Sequence, residues 1–401
     1  MPKRVVMLLL VIVISLFVSG CWNRRELNEL GIVIATAIDI GQNNQWVTSF
    51  QVVIPQSVSA QAGNGTAQAP VTVFSTEGKT LQDAFYNASN ETPRSLFLAH
   101  NRVIVISEEV AKKGVRQIAD FYLRHDESRE TMDILLTKEK ARKLLEVLTP
   151  IERIPGNAID KVLKVGETNL SILRRVKLHE FISSLTNSTL GAVLPQVEIT
   201  GDQKVQTSLD SLKETKVGAV IKLSGTGVFR RDRLAGWLNR EESMGLAWIS
   251  NRINNSVISF SCKADDNKPL SSFLVEKSST KLTPNVTKGK LEMLVVIKAE
   301  GTLKETGCEL NLKNPKTIEK LEEQIEAQIK KQVETTVVTA KKLKIDMLGF
   351  GDAFHKKYPD VWKEVSKNWE RTFTEVGLSV EVKTEIRRTG MIDQSFPTFT
   401  K

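Results

Sequence analysis

The stretch NPKTIEKLEEQIEAQIKKQVETTVVTAKKLKI, residues 314–345, carries the clearest local structural signal in the sequence. Asn314 is a favoured residue type for a helix N-cap, and Pro315 is favoured at the first helical position. Apolar side chains then recur every three or four residues: Ile318, Leu321, Ile325, Ile329, Val333 and Val337. This spacing predicts a helix over about 315–345, roughly 45 Å long. Its single narrow apolar stripe predicts packing along one side, with a Lys- and Glu-rich face in solvent.

The segments around this helix predict a β-rich C-terminal half. Three runs alternate apolar and polar residues, which is typical of an antiparallel sheet with one face in water: 256–263, 271–282 and 290–303. Upstream of them we predict short strands and an amphipathic helix: strands over 217–223, 225–230 and 234–238, and the helix over 241–253. Downstream we predict a second helix near 353–373, broken at Pro359, and a closing strand over 378–386.

The N-terminal half alternates strands with helices, which is typical of a mixed α/β layer. Runs rich in Ile, Val and Thr at 32–40 and 46–54 flank a polar turn and predict a β-hairpin. Further strands are predicted over 71–75, 103–106 and 132–136. Helices are predicted over 80–88, 108–112 with Ser107 as N-cap, 115–124, 138–148 and 178–185.

The first twenty residues are typical of an export signal. Lys3 and Arg4 precede an apolar run, 5–18, which is interrupted only by Ser15 and is too short for a membrane span of about 20 residues. The run ends in Val18-Ser19-Gly20-Cys21, which resembles a bacterial lipobox, in which the cysteine receives a diacylglycerol and signal peptidase II cleaves before it. Cys21 is therefore the predicted lipid attachment site. A simple secretory signal, or an uncleaved anchor with an incidental cysteine, is the alternative.

Composition and charge narrow the classes of partner. The 401 residues are 41% hydrophobic and 26% charged, which is ordinary for globular domains and excludes long disorder. The formal charge of +9 falls to +7 when Lys3 and Arg4 are removed with the signal peptide. Because the predicted export signal places the body outside the cytoplasm, we interpret this charge as facing a membrane and protein partners, and we expect no nucleic-acid binding.

Five segments carry a resemblance to one known family. The first is Cys21-Trp22-Asn23-Arg24-Arg25-Glu26-Leu27, at the predicted lipid site. The others follow along the chain: His100-Asn101-Arg102 with the strand after it; Phe121-Tyr122-Leu123-Arg124 with Arg129; Gly227-Val228-Phe229 through Gly236-Trp237-Leu238 to Glu242; and Asp346 to Gly351 with Trp362, Trp369 and Arg388-Thr389-Gly390. Together, and in this order, they resemble the C subunit of bacterial spore germinant receptors, the Ger(x)C lipoprotein family, whose mature sequence starts in a similar way.

The resemblance implies a lipid-anchored, non-enzymatic subunit on the outer face of the inner spore membrane. There it would assemble with a polytopic A subunit and a transporter-like B subunit into a complex that answers nutrients and triggers germination. The B subunit would be the better candidate for binding the nutrient, so direct nutrient binding is not expected of this chain. No cofactor or metal is implied.

We predict an α+β fold of three mixed α/β-type domains, in line with the resemblance. The signal peptide is 1–20, and the N-terminal domain is 21–190, with a mobile loop over 57–70. The middle domain is 191–283, beginning with a polar, linker-like stretch over 191–215. The C-terminal domain is 284–401 and contains the long helix.

Four residues are candidates for contacts with the membrane or a partner. Trp22, Arg24 and Arg25 follow the lipid site, where an aromatic ring at the interface and cations over anionic headgroups are favourable. Docking of the A or B subunit is their alternative role. Phe350 lies between two glycines that can break a helix; it either fills the core, which we favour, or forms a contact or hinge at a partner subunit.

Chemistry that would indicate an enzyme is not apparent in the sequence, which has four histidines and no hydrolase, zinc-protease or nucleotide-binding motif. We interpret His125-Asp126-Glu127 as a solvated helix end and His100 as a structural or interface residue. Cys262 and Cys308 can form a disulfide outside the cytoplasm, but buried free thiols are the favoured interpretation.

Two other functions compete with the receptor subunit. A lipid-anchored solute-binding protein of an importer would have two doubly wound α/β lobes joined by hinge strands. An exported hydrolase would need a paired nucleophile and base, which the motifs do not supply.

Overall fold

The computed structural model describes residues 3–5, 7, 26–55, 57, 68–170, 175–187, 189–202, 206–262 and 271–390. The predicted mobile loop over 57–70 lies mostly outside these ranges. The strands are β1 (Leu30–Ile40), β2 (Trp46–Val53), β3 (Val71–Gly78), β4 (Ser95–Phe97), β5 (Val103–Ser107), β6 (Asp133–Thr137), β7 (Val193–Gly201), β8 (Ala219–Arg230), β9 (Arg233–Leu238), β10 (Ser256–Phe260), β11 (Ser271–Thr287), β12 (Lys290–Thr306) and β13 (Gly377–Arg388).

The helices follow the same chain order. They are α1 (Leu81–Glu91), α2 (Glu108–Lys113), α3 (Arg116–Arg124), α4 (Arg142–Glu146), α5 (Pro155–Val165), α6 (Leu178–Thr186), α7 (Arg240–Ile249), α8 (Pro315–Leu343), α9 (Phe350–Lys357), α10 (Pro359–Val365) and α11 (Trp369–Glu375).

The first sheet contains nine strands in the order β3-β2-β1-β5-β6-β7-β8-β9, with β4 paired to the start of β1. Its centre is parallel, from β1 through β5 and β6 to β7, and antiparallel pairs extend it on both sides. The predicted hairpin is confirmed as β1 and β2. Helices cover both faces of the parallel centre. α2, α3 and α6 pack on one face and α4 and α5 on the other, each through a cluster of buried apolar residues.

The second sheet has the order β10-β11-β12-β13 and is covered by the long helix α8. The helix predicted over 315–345 is confirmed, with Asn314 as its N-cap and the predicted apolar stripe buried from Leu321 onward, while Ile318 is half-buried. Glu326 and Glu322 on α8 accept hydrogen bonds from the backbone N–H groups of Thr384 and Ile386, each at 2.8 Å. These bonds satisfy donors along β13, which is an edge strand of the sheet.

The α+β class is confirmed, but the sheets do not follow the predicted domain boundaries. The stretch 191–215, predicted to be linker-like, contains β7, which pairs with β6 and β8 inside the first sheet. The boundary predicted between 283 and 284 falls inside β11. The many polar residues of 191–215 favoured a linker in the prediction. The segment forms β7 because its backbone pairs with strands that are far from it in sequence.

Three helix predictions needed correction. The helix predicted over 138–148 is only α4, because the Asp39 carboxylate on β1 accepts hydrogen bonds from the N–H groups of Ala141 and Arg142 and fixes where the helix begins. The helix predicted near 353–373 with a break at Pro359 is three helices, α9, α10 and α11: α10 begins at Pro359, and a second break precedes Trp369. Ser107 is the N-cap of α2, but its side chain makes no capping hydrogen bond.

The two internal cysteines are joined. Cys262 and Cys308 form a disulfide, so the favoured interpretation as buried free thiols is wrong. The disulfide ties the segment after β10 to the segment after β12, and both cysteines are only half-buried.

Candidate interaction surface at the amino ends of the parallel strands

Two of the sequence motifs meet at the edge where the parallel strands begin. Arg102 directly precedes β5, and its backbone N–H donates to the Ile34 carbonyl of β1 at 2.8 Å. Its carbonyl accepts from the N–H of Asp133, the first residue of β6, also at 2.8 Å. Because parallel strands place their amino ends at one edge, the His100-Asn101-Arg102 motif and Arg129 lie beside each other.

The cavity at this edge, called here the basic cleft, has a volume of about 270 Å³. Its lining residues are mostly polar or charged: Ala99, His100, Asn101, Arg102, Arg129, Thr131, Asp160, Arg175 and Lys177. Four of them are permanent cations and one is a carboxylate. The cleft therefore presents an excess of positive charge.

Asp133 lies beneath the basic cleft with a side chain only 1% exposed. The Arg175 guanidinium donates from Nε to its Oδ1 at 2.7 Å and from Nη2 to its Oδ2, and Lys177 Nζ lies 2.9 Å from Oδ1. Arg175 also pairs with Asp160. The hydrogen bond to Asp133 is the main reason why the pKa of Arg175 is raised, and the charges of Asp133, Asp160 and Glu167 add to it.

The outer cations of the cleft are less engaged. The Arg102 side chain is 54% exposed, and its contact with Asp160 is long, at 3.6 Å. Arg129 is exposed and forms no ion pair with another residue in the described ranges. These two guanidinium groups are the part of the cleft that an anion in solvent can reach.

The middle residue of the His100-Asn101-Arg102 motif is structural. Asn101 is buried, and its Nδ2 donates to Thr36 Oγ1 at 2.9 Å. Tyr122 is buried in the same place; burial raises the pKa of its hydroxyl, and hydrogen bonds with Thr36 and Asn101 oppose that shift. This neutral network holds β5 against β1, so that Arg102 keeps its position.

A second, larger cavity of about 820 Å³ lies between α1 and α3 and is called here the aromatic cleft. The His125 ring contacts Phe85 edge to face, with centroids 4.9 Å apart, and lies 5.5 Å from Phe121. Burial lowers the pKa of His125, while the charges of Glu127 and Asp126 oppose that shift. His125 is half-buried among aromatic rings, so the predicted solvated helix end holds for exposed Asp126 and not for the histidine.

The Asp346-to-Gly351 motif is an internal turn. Asp346 is buried, and its carboxylate accepts hydrogen bonds from the N–H groups of Leu348, Gly349, Phe350 and Gly351 and from Trp369 Nε1 at 2.6–3.2 Å. Burial raises the pKa of this carboxyl, and the hydrogen bonds oppose that rise. Gly349 has φ +80°, which glycine adopts without strain. The turn therefore begins α9.

The predicted site residues have different outcomes. Cys21, Trp22, Arg24 and Arg25 lie outside the described residues. Phe350 is fully buried and packs edge to face on Phe373 at 5.9 Å, so its ring fills the core, which is the interpretation that we favoured.

Four residues of the basic cleft were not predicted from the sequence: Asp133, Asp160, Arg175 and Lys177. A basic run at 174–177 was the available signal, but only the fold brings it to Arg102.

The helices and acidic clusters of the described residues show neither a membrane span nor a metal site. None of these helices is both long enough and apolar enough to cross a membrane. None of the clusters of His, Cys, Asp or Glu in the described residues reaches the three ligands that would hold a metal ion.

Comparison with known proteins identifies the family. Residues 23–199 match the family described as spore germination protein N-terminal domain, and residues 224–390 match the family described as spore germination B3/GerAC like, C-terminal. Spore germination protein KC of Bacillus subtilis (strain 168) is 32% identical over 399 residues, covering 98% of this chain and 97% of the relative. Spore germination protein B3 of the same organism is 24% identical, covering 94% and 96%.

The fold is also that of a solved relative. The crystal structure of the GerBC protein superposes with a TM-score of 0.55 at 20% identity, covering 88% of this chain and 96% of that chain. The motifs, the two family matches and the full-length relative agree, and the chain belongs to the spore germination B3/GerAC-like, or Ger(x)C, family.

Proposed function

We propose that the chain is a lipid-anchored, non-enzymatic subunit of a nutrient germinant receptor in the inner spore membrane. Its body lies on the outer, extracytoplasmic face, held by the lipid on Cys21, and assembles with a polytopic A subunit and a transporter-like B subunit. The observation that carries the proposal is the similarity to Spore germination protein KC, which extends over 98% of this chain.

The anchor is supported by the N-terminal sequence. A basic start, an apolar run of signal-peptide length and the lipobox ending at Cys21 occur in the order that lipoprotein maturation requires. Two or three acyl chains hold a protein on a membrane stably, whereas one chain gives only marginal binding. Trp22, Arg24 and Arg25 would then lie at the headgroup level or against the A or B subunit.

The aromatic cleft and the exposed side chains near it support a role in assembly with other subunits. The aromatic cleft offers Phe85 and Phe121 beside half-buried His125, and aromatic residues are enriched at protein interfaces. Tyr86 on α1 and Leu123 on α3 are large side chains that remain 69% and 52% exposed. These features are suited to contact with another subunit.

The alternative, a solute-binding protein of an importer, predicts two doubly wound lobes. The observed architecture is one large sheet with a parallel centre and one four-stranded sheet covered by a long helix. Calorimetry on the purified chain separates the two functions: micromolar binding of an amino acid or sugar would favour the importer.

The anchor is tested by Cys21→Ala. We expect the variant to leave the membrane fraction completely, because the thiol is the acceptor of the lipid. Ser19→Ala is the matched control, since it keeps a small residue in the lipobox and should remain membrane-bound. Retention of the Cys21→Ala chain on membranes would contradict anchoring through this residue alone.

Assembly is tested by purifying the tagged chain from the inner spore membrane and identifying what accompanies it. We expect an A and a B subunit encoded with it, and neither with an unrelated lipoprotein that carries the same anchor. Recovery of the chain alone would contradict the assembly role. Deletion of the chain should slow germination with particular nutrients and spare germination by agents that bypass receptors.

A further inference from the structure

We propose that the basic cleft binds the phosphate headgroups of anionic lipids in the membrane that carries the chain. The inference rests on the proposed anchor at Cys21 and adds a second contact between the protein and the same membrane. The contacting groups are Arg102 and Arg129, with Arg175 and Lys177 behind them.

The cations of the cleft fall into an inner pair and an outer pair. The two inner cations are held by Asp133, which is buried beneath them, and Asp160 is shared between Arg175 and Arg102. The two outer guanidinium groups therefore remain open to solvent. A guanidinium donates two parallel N–H bonds to phosphate oxygens, so two of them at the mouth of one cleft suit a phosphate group.

The basic cleft also lies at the end of the fold where the chain leaves the proposed lipid site. Four residues lie between Cys21 and Glu26, the first described residue of the body, so the five steps from one to the other span at most about 18 Å. The chain then enters β1 at Leu30, at the same edge of the sheet where β5 and β6 begin. Arg102 is bonded to β1 at Ile34, about 13 Å along the strand at 3.3 Å per residue. The cleft therefore lies at the end of the sheet that a lipid on Cys21 would hold near the membrane.

The two outer arginines, Arg102 and Arg129, also contribute little to packing. Neither side chain is buried, and within the His100-Asn101-Arg102 motif it is Asn101 that is buried and hydrogen-bonded to Thr36. Anionic lipids attract basic groups near the bilayer surface, and the attraction falls off within a Debye length. An acidic segment of a partner subunit would use the same cations, and the experiment below separates it from lipid.

The test uses the accessibility of Thr131, which lines the cleft and is exposed. In a Thr131→Cys chain the new thiol is free, because Cys262 and Cys308 are joined and Cys21 carries the lipid. The lipidated chain is reconstituted in vesicles of phosphatidylcholine alone or with about one-third phosphatidylglycerol, and the rate of reaction with a neutral maleimide is measured. Thr335→Cys, on the exposed face of α8, is the matched position outside the cleft.

We expect the thiol at 131 to react several-fold more slowly in the anionic vesicles, and the difference to vanish in about 0.5 M salt. The thiol at 335 should react equally in both. In a second pair of variants, Arg102→Gln with Arg129→Gln should abolish the protection, whereas Lys320→Gln with Lys331→Gln on α8 should leave it. Thermal unfolding of each variant shows whether the fold is intact.

Equal rates at position 131 in both kinds of vesicle, with the chain retained on them, would overturn the proposal and leave the anchor standing. Protection that appears only when receptor subunits from spore membranes are present would also overturn it, in favour of an acidic protein partner. Loss of the chain from both kinds of vesicle would instead contradict the anchor, and the position argument with it.

Discussion

Asp133 in the first sheet and Asp346 in the C-terminal region are both buried aspartates, and they bind donors of different kinds. The partners of Asp133 are the side chains of Arg175 and Lys177, which line a cleft open to solvent. The partners of Asp346 are four backbone N–H groups and the indole of Trp369, all buried in the core except the half-buried N–H of Gly349.

This difference separates two uses of a buried charge. An aspartate that accepts backbone N–H groups defines a turn and leaves nothing for a ligand. An aspartate that pairs with long cationic side chains fixes them in a cleft, where their neighbours can meet an anion. The N-terminal motifs therefore contribute residues to a cleft at the surface, whereas the Asp346 motif forms a turn around a carboxylate buried in the core.

The largest effect is expected for Asp346→Ala. Five donors lose their acceptor and four of them stay buried, so we expect the free energy of unfolding to fall by about 4 kcal/mol. Asp346→Asn is the control, because its single oxygen can still accept from some of the amides and should recover part of the loss. Chemical denaturation measures both. A loss below about 1 kcal/mol for the alanine variant would contradict the structural role of this turn.

Asp133→Ala is expected to cost less, about 2–3 kcal/mol, because Arg175 and Lys177 are partly exposed and can be hydrated when the carboxylate is removed. Arg175 also keeps Asp160 as a partner. The same denaturation experiment applies, with Asp133→Asn as the shape-matched control. A cost equal to that of Asp346→Ala would erase the distinction between the two aspartates.

Asp39 is a third buried aspartate that sharpens the comparison. It is buried, yet it accepts from only two amides, those of Ala141 and Arg142, at the start of α4. We therefore expect Asp39→Ala to cost about 1–2 kcal/mol, as for the loss of a helix N-cap. Asp39→Asn should restore most of it, since an amide oxygen also caps a helix. If Asp39→Ala lowered the free energy of unfolding by more than Asp133→Ala, the number of hydrogen-bond donors would not explain how strongly each aspartate stabilises the fold.

Local signals in the sequence predicted the parts of the fold that depend on local structure. The helix after Asn314 and the hairpin of β1 and β2 are both encoded by a cap or turn and a regular apolar period. β7 was missed, because its pairing with β6 and β8 joins segments that are far apart in sequence. The basic cleft was missed for the same reason: Arg102, Arg129 and Arg175 meet only after the parallel strands are in register.

The smallest effect on stability, and the sharpest test of the comparison, is expected for Arg129→Gln. Its side chain is exposed at the mouth of the basic cleft and contributes no ion pair within the described ranges, so the free energy of unfolding should change by less than about 0.5 kcal/mol. A residue used for contact can be replaced without a stability cost, whereas a residue used for packing cannot. Arg175→Gln is the matched change within the same cleft, and it should destabilise the protein because it leaves Asp133 with Lys177 alone. If Arg129→Gln destabilised the chain as much as Arg175→Gln, the outer arginine would belong to the structural network, and the cleft would have only Arg102 to offer an anion.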